Sequence, residues 1–517
     1  MSIRTRFAPS PTGYLHIGGV RTALFNWLLA KRHGGQWILR IDDTDAERNR
    51  PEALQPILDG FRWLGMQWDE GPEVGGPCGP YYQSQKLERY KEMAMKLVAT
   101  GHAYPDLSSK EELDVARKAA EKAKQPYVHR GPNRDASPEE SLRILQERQL
   151  PIRMKVPLGK VIAIDDLIRG HVEWQADLIG DPVILRADGR ALYNFATVID
   201  DVDLKITHVI RAEEHLSNTC VQAVAYEALG MQLPKFAHVP VVLEPAPSKK
   251  KLSKRDMKKF VTDEIKDKLR SIGWTDEQID SRDDLNPATV AFYKEMGYLP
   301  TAIVNYLGRL GWSLDDKTEF MTVEQMIANF GLDRVKDSPA GFDLKKLYWL
   351  AGEHMQLLPM EEKINGVLPY LVRAKLVTEP VDEAIRAKVR RVVEACGDRI
   401  KLFSDILTYG SYFFRKDPVF DKDALKKRVQ KEGTPDLLRK TAAMLQATEP
   451  FDHDTLEKAI HAFCEQNGVK LGDMNHALRV STTGVPVGPG LFDCLAILGK
   501  AETLRRIEMA LAQDKVG

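Results

Sequence analysis

Ala8–Thr22 reads APSPTGYLHIGGVRT: two prolines, a Thr-Gly, one histidine and a Gly-Gly pair. Ahead of it, Ile3–Phe7 carries β-branched residues at alternate places, the pattern of a short strand. Behind it, Val20, Leu24, Trp27 and Leu28 fall at i, i+4, i+7 and i+8, which predicts an amphipathic helix from about Val20. The stretch is therefore a strand-to-helix turn. Its glycines let the backbone approach a ligand closely. The helix N-terminus offers N–H groups and a positive dipole end to an anion, and His16 stands where that anion would lie. No Gly-Lys-Ser/Thr follows, so this is not a P-loop. The alternative is a Pro/Gly turn with an incidental histidine.

Working outward, strand and helix keep alternating: a strand at Trp37–Ile41, then a helix from about Pro51. Such alternation implies right-handed crossovers and a parallel sheet. From about Tyr90 to Arg186 the pattern breaks into charged helices such as Lys110–Lys124 and mixed strands. VILRADGRALYNFATVI carries Asp188-Gly189 between two β-rich arms, which predicts a hairpin. ITHVIR (Ile206–Arg211), a helix from about Leu216 and HVPVVL (His238–Leu243) then restore the alternation. The fold class expected is α/β, a parallel-sheet domain split by an insertion of α+β character. After about Phe330 helical periodicity takes over: Leu456, Ala459, Ile460 and Phe463, then Leu504, Ile507 and Leu511.

Ligands of open parallel sheets bind beyond the carboxyl ends of the strands. Four expected strands end in polar residues: Ser10 and His16 after the first, Asp42-Asp43-Thr44-Asp45 after the second, Arg211 with Glu213 and Glu214 after ITHVIR, and KKKLSKR after HVPVVL. Together they suggest one cleft with an anion-binding part and a mixed-charge part.

Composition narrows the class. Of 517 residues, 74 are Lys or Arg and 74 Asp or Glu, so the formal net charge is zero. That counts mildly against a nucleic-acid binder, but affinity for phosphate comes from local cations. Residues 249–259 hold Lys249, Lys250, Lys251, Lys254, Arg255, Lys258 and Lys259 against Asp256 alone. Clusters at Arg386–Arg391 and Lys426–Lys431 read as solvated helix faces. The five cysteines are scattered without metal-ligand spacing, so each is expected buried and reduced, with no metal site. The N-terminus has no apolar signal core and no long apolar run occurs, so a cytoplasmic chain without membrane contact is expected.

RFAPSPTGYLHIGGVRTAL, RIDDTD, YYQSQKLERY, LRADGRALYNFATVIDD, IRAEEHL and KLSKR together resemble the bacterial glutamyl-tRNA synthetases. HIGG (His16–Gly19) is similar to the HIGH signature of class I synthetases in the form this family uses. KLSKR (Lys251–Arg255) is similar to their KMSKS signature. RVSTTGVPVGPGLFDCLAILGKAETLRRI resembles the family's C-terminal anticodon-binding domain. The resemblance covers nearly the whole chain. It implies a Rossmann-type catalytic domain in two halves, 1–86 and 189–247, around an inserted acceptor-stem-binding domain, 87–188. A KMSKS loop and helical stem-contact region, 248–335, and an all-α anticodon-binding domain, 336–517, would follow.

The resemblance also implies roles. ATP, with Mg²⁺, would be held by Ala8, Ser10, His16, Gly18, Gly19, Lys251 and Lys254. His16, Lys251 and Lys254 would act on the phosphates. The glutamate side-chain carboxylate would face Arg6, Tyr193 and Arg211, and its ammonium Ser10 and Asp42. Arg suits this task, because its planar fork pairs bidentately with a carboxylate and stays charged. The implied partners are L-glutamate, ATP and tRNA(Glu), and the implied state is a monomer.

Three departures stand out. Asp42 occupies a position where most members carry Glu, one methylene longer. The zinc-binding cysteines of some members are absent around Tyr104–Leu107 and in YVHR, so no zinc is expected. KLSKR is followed by a charged segment, 256–285, before Gly297-Tyr298-Leu299-Pro300. Its stretch Asp263–Arg270 predicts a helix with an apolar seam at Ile265, Leu269 and Ile272, anchored on the enzyme body by Trp274 and restraining the catalytic loop. Three other classes stay open. A glutaminyl-tRNA synthetase shares the core, and Asp42–Thr44 leans that way, but its family ends in β-barrels. A queuosine-modifying relative lacks the anticodon domain. A non-enzymatic tRNA-binding scaffold has no use for both His16 and Lys254.

Overall fold

Arg4–Phe7, with its two central residues Thr5 and Arg6 buried, is the strand β1 of the computed structural model. The model describes residues 2–44, 51–248, 250–252, 259 and 261–513. Helix α1 (Ile17–Arg32) follows and buries Ile17, Val20, Leu24, Trp27 and Leu28. Strand β2 (Gln36–Leu39) returns parallel to β1, Arg4 opposite Gln36 and Phe7 opposite Leu39. Helix α2 (Leu54–Trp63) comes next and turns Ile57, Leu58 and Phe61 inward. The opening strand–turn–helix thus forms as the sequence predicts, with the helix starting at Ile17.

Helix α3 (Leu87–Ala99) begins the mixed region. It continues through strand β3 (Ala103–Pro105), helices α4 (Lys110–Lys122) and α5 (Pro138–Glu147), and strand β4 (Ile152–Met154). A hairpin of β5 (Val161–Asp166) and β6 (Gly170–Gln175) follows, then β7 (Val183–Leu185). Strands β3, β4 and β7 form an antiparallel sheet. The expected hairpin around Asp188-Gly189 is only half present. Gly189 makes the turn at φ +83°, and Leu185 bridges Ala191. The second arm is instead helix α6 (Tyr193–Asp203). Phe195, Val198 and Ile199, spaced i, i+3, i+4, join a core with Tyr90, Leu97, Ile184 and Val224. This packing overrides the strand preference of Thr197, Val198 and Ile199.

Strand β8 (His208–Ala212), helix α7 (Leu216–Ala228) and strand β9 (Lys235–Val239) make a second parallel pair, Arg211 opposite His238. Strand β10 (Val242–Leu243) follows at once. The pairs lie side by side: Thr207 N–H donates to Arg4 O at 2.9 Å, and Asn26 Nδ2 of α1 donates to Ile210 O at 2.9 Å. Ile164 of β5 packs with Ile38, Val209 and Phe236, which pins the hairpin to the parallel strands.

The chain divides into two units. One takes residues up to 257 with 288–291 and 304–343; the other takes 258–287, 292–303 and 344–517. The second unit is helical. Leu438, Leu456, Ile460, Leu478, Leu495 and Ile507 share its C-terminal core. The charged segment belongs to it. Thr262 caps the helix Asp263–Ser271, Leu269 and Ile272 are wholly buried and Ile265 is half-buried. Trp274 Nε1 donates to Glu295 at 3.1 Å, and Arg282 lies 4.4 Å over its ring. Among the described residues no helix is long and apolar enough to cross a membrane.

Candidate active site

A cavity of about 690 Å³ opens at the carboxyl ends of the parallel strands in the first unit. Part of its wall is the start of α1. His16 is the N-cap, and its Nδ1 accepts the Gly18 N–H at 2.9 Å. A Cβ on Gly18 would sit 3.1 Å from that nitrogen, so a glycine keeps the cap unobstructed. With Nδ1 accepting, the ring proton of neutral His16 is on Nε2. Ala8 and Gly19 complete this part of the wall.

Lys251 and Leu252 border the cavity beside Glu214. The Lys251 ammonium pairs with Glu214, both half exposed. The Leu252 N–H donates to Val242 O at 2.8 Å, tying the start of KLSKR to β10. Lys254 lies outside the described residues, as does Asp45.

Elsewhere the wall carries charge in pairs. Arg6 grips Asp201 with two bonds of 3.1 Å. Arg40 holds Asp42 at 2.7 and 3.2 Å and reaches Asp201 at 2.8 Å. All four side chains are buried. Burial pushes the Asp42 carboxyl up to about 6, Arg40 opposing it. Burial would also raise Asp201, but Arg6 and Arg40 hold it below the ordinary range. Tyr193, at the N-terminus of α6, is 42% exposed, and its hydroxyl lies 3.4 Å from His215 Nδ1. Burial, helped by Arg211, lowers His215 to about 4, so this imidazole is neutral near pH 7.

Arg211 differs from the other arginines here. It is buried at the end of β8, with Nε 3.1 Å from His238 Nε2 and Nη2 2.8 Å from Thr219 Oγ1. Its Nη1 is buried with no hydrogen-bond partner. Burial without a carboxylate partner lowers its pKa to about 10, so it still carries its charge near pH 7. An arginine so arranged has a charged donor left over that could pair with an anionic group.

Of the residues expected from sequence, Arg6, Ala8, His16, Gly18, Gly19, Asp42, Tyr193, Arg211 and Lys251 all line this one cavity. Ser10 does not; it is exposed in the turn. Sequence reasoning placed Glu214 at a strand end without a partner and passed over Arg40, Asp201, His215 and His238. Arg40, Asp201, Glu214 and His215 stand inside the quoted motifs, but their pairing joins residues up to 195 positions apart. Among the described residues, no group of three or more His, Cys, Asp and Glu could hold a metal ion.

The chain is similar to known proteins over nearly its whole length. The family model for class I tRNA synthetases (E and Q), catalytic domain, matches residues 2–273 and 269–349. That for an anticodon binding domain matches 362–511. The glutamate–tRNA ligase 1 of Caldanaerobacter subterraneus subsp. tengcongensis is 40% identical over 510 residues, 98% of this chain and 97% of the relative. The glutamate–tRNA ligase of Moorella thermoacetica is 39% identical over 98% of both. A solved glutamate tRNA ligase from Elizabethkingia meningosepticum, in complex with its amino acid, superposes with TM-score 0.84 at 34% identity, covering 99% of each chain.

Proposed function

Because the chain belongs to the glutamate–tRNA ligase family of class I aminoacyl-tRNA synthetases, we propose that it activates L-glutamate with ATP to glutamyl-adenylate and pyrophosphate, then transfers glutamate to the terminal adenosine of tRNA(Glu). The observation that carries the glutamate assignment is Arg211, a buried guanidinium with one nitrogen unpartnered in the cavity wall.

The chemistry asks mainly for positioning and charge stabilisation. The substrate carboxylate attacks the α-phosphate in line, and pyrophosphate leaves. His16 donates through Nε2 to the phosphates at the start of α1, where Ala8, Gly18 and Gly19 let the nucleotide come close. Lys251 exchanges Glu214 for the leaving phosphates, and Lys254 joins it; Mg²⁺ bound with ATP would share the neutralisation. The γ-carboxylate takes Arg211, with Tyr193 beside it. Arg6, gripped by Asp201, stands in the same wall and adds its charge there. Asp42 receives the ammonium although Arg40 already pairs with it, and exposed Ser10 approaches from the turn. Residues 87–188 receive the acceptor end of the tRNA, and the helical C-terminal region reads its anticodon. The enzyme works as a cytoplasmic monomer without zinc.

The test is Arg211→Gln. Losing the charged partner of a desolvated carboxylate costs about 2–5 kcal/mol, so kcat/KM for glutamate should fall by roughly 30- to several-thousand-fold, and preference over glutamine should vanish. Undiminished discrimination would overturn the assignment.

A further inference from the structure

His238 is wholly buried, and its ring meets three side chains. Its Nδ1 lies 2.6 Å from Asp166 Oδ2. Its Nε2 lies 3.1 Å from both Arg211 Nε and Thr219 Oγ1. Asp166 ends β5, in the hairpin that packs on β9, and is equally buried. Backbone N–H groups of Ile168 and Arg169 donate to Asp166 Oδ1 at 3.0 and 2.9 Å, and that of His238 to Oδ2 at 3.1 Å. The carboxylate is therefore fixed in place. Although burial pushes it up, His238 and these N–H groups hold its carboxyl down to about 2.

An ionised carboxylate can only accept. Nδ1 of His238 must then carry the proton, and Nε2 keeps its lone pair. That lone pair is what the Arg211 Nε–H requires, since a guanidinium offers donors alone. Burial lowers the His238 pKa, with Asp166 opposing. A protonated ring would set an Nε2–H against the Arg211 Nε–H. With Nε bound to His238 and Nη2 to Thr219, the planar guanidinium has one orientation, and Nη1 remains for the ligand. Phe236 closes the arrangement, its ring 8° from parallel with the imidazole and 5.4 Å below the Arg211 carbon.

We propose that His238 is a positioning residue for recognition of the substrate side chain: Asp166 fixes its proton on Nδ1, and its Nε2 then aims the Arg211 guanidinium at the substrate carboxylate. This rests on the reading of Arg211 given above. It makes glutamate selectivity depend on a residue pair, Asp166 and His238, of which one comes from the inserted hairpin and neither is a wall residue of the cavity.

Charging kinetics of the full-length enzyme with a tRNA(Glu) transcript test it, in four variants with melting temperatures recorded. His238→Phe keeps the ring shape and removes the acceptor. It should raise KM for glutamate by about tenfold to a hundredfold, as loss of outer hydrogen-bond partners does, erode preference over glutamine, and leave KM for ATP within about twofold. His238→Gln, whose Oε1 can accept in place of Nε2, should recover most of the glutamate KM. Asp166→Asn can donate to Nδ1 and turn the imidazole proton to Nε2, the wrong-tautomer effect known for an aspartate behind a histidine; it should copy His238→Phe. If His238→Phe does not fold, Asp166→Asn decides in its place. Equal changes in both KM values, or an unchanged glutamate KM, would overturn the proposal. Arg211→Gln separates the two ideas. If it keeps glutamate preference, the reading of Arg211 fails; if it loses preference while His238→Phe keeps it, only the positioning role fails.

Discussion

His16 does two things with one imidazole. Its Nδ1 caps α1, and in the role proposed above its Nε2 offers a proton to phosphate. Asn at this position retains a capping oxygen but lacks the second nitrogen. His16→Asn should therefore leave the melting temperature near that of the parent while kcat falls about 10²- to 10³-fold, the usual loss for a donor to developing charge. Parallel losses of stability and activity would make His16 a cap only. Asp42 supplies a pH signature. Its carboxyl is pushed up to about 6, chiefly by burial. Below that pH it becomes neutral and, in the role proposed for it, would no longer attract the substrate ammonium; above it the charge is present. kcat/KM for glutamate, which reports the free enzyme, should fall about tenfold per pH unit on the acid side of about 6 and be level above it. Asp42→Asn should abolish this acid limb. A parent profile level from pH 7 to 5 would contradict the role. That His16, Asp42 and Arg211 share one cavity was legible because each stands in a motif beside a strand end. The ion pairs of Arg6 and Arg40 were not, since residue identity says nothing about which charge meets which across the fold.

Among elements, the segment after KLSKR shows what periodicity can and cannot decide. Its seam at Leu269 and Ile272 was readable, and both side chains are fully buried. Its attachment was not: it packs within the helical unit, where Lys268 pairs with Asp405 and lies 5.8 Å over the Tyr348 ring. The helix is thus a structural part of that unit. Leu269→Ala should cost about 2–5 kcal/mol of stability, read as a fall in the midpoint of denaturant unfolding. A change below about 0.5 kcal/mol would fit a surface position instead. Helix α6 is the opposite case. Its β-branched run and Asp-Gly turn signalled a strand, and only the packing of Phe195, Val198 and Ile199 among residues distant in sequence made it helical.

At the scale of the whole molecule, the α/β first unit and the helical end were legible because their hydrophobic periods differ, alternating strand and helix in one and 3.6 residues in the other. Discontinuous membership of the units was not, because 258–287 and 288–291 are consecutive in the chain yet join different units, a division set by contacts between residues distant in sequence. Zero net charge with a cavity holding Arg6, Arg21, Arg40, Arg211 and Lys251 means that charge is organised locally rather than overall. This is how a neutral protein can hold ATP and a dicarboxylate. The most direct measurement is a charging assay with purified enzyme, ATP, Mg²⁺ and a tRNA(Glu) transcript, with labelled glutamate and glutamine in parallel. The account predicts glutamyl-tRNA with release of AMP and pyrophosphate, and glutamine charging at least 100-fold weaker, on the order of the rejection a charge-pairing site gives an uncharged analogue. Charging of glutamine in preference to glutamate, or of neither, would contradict it.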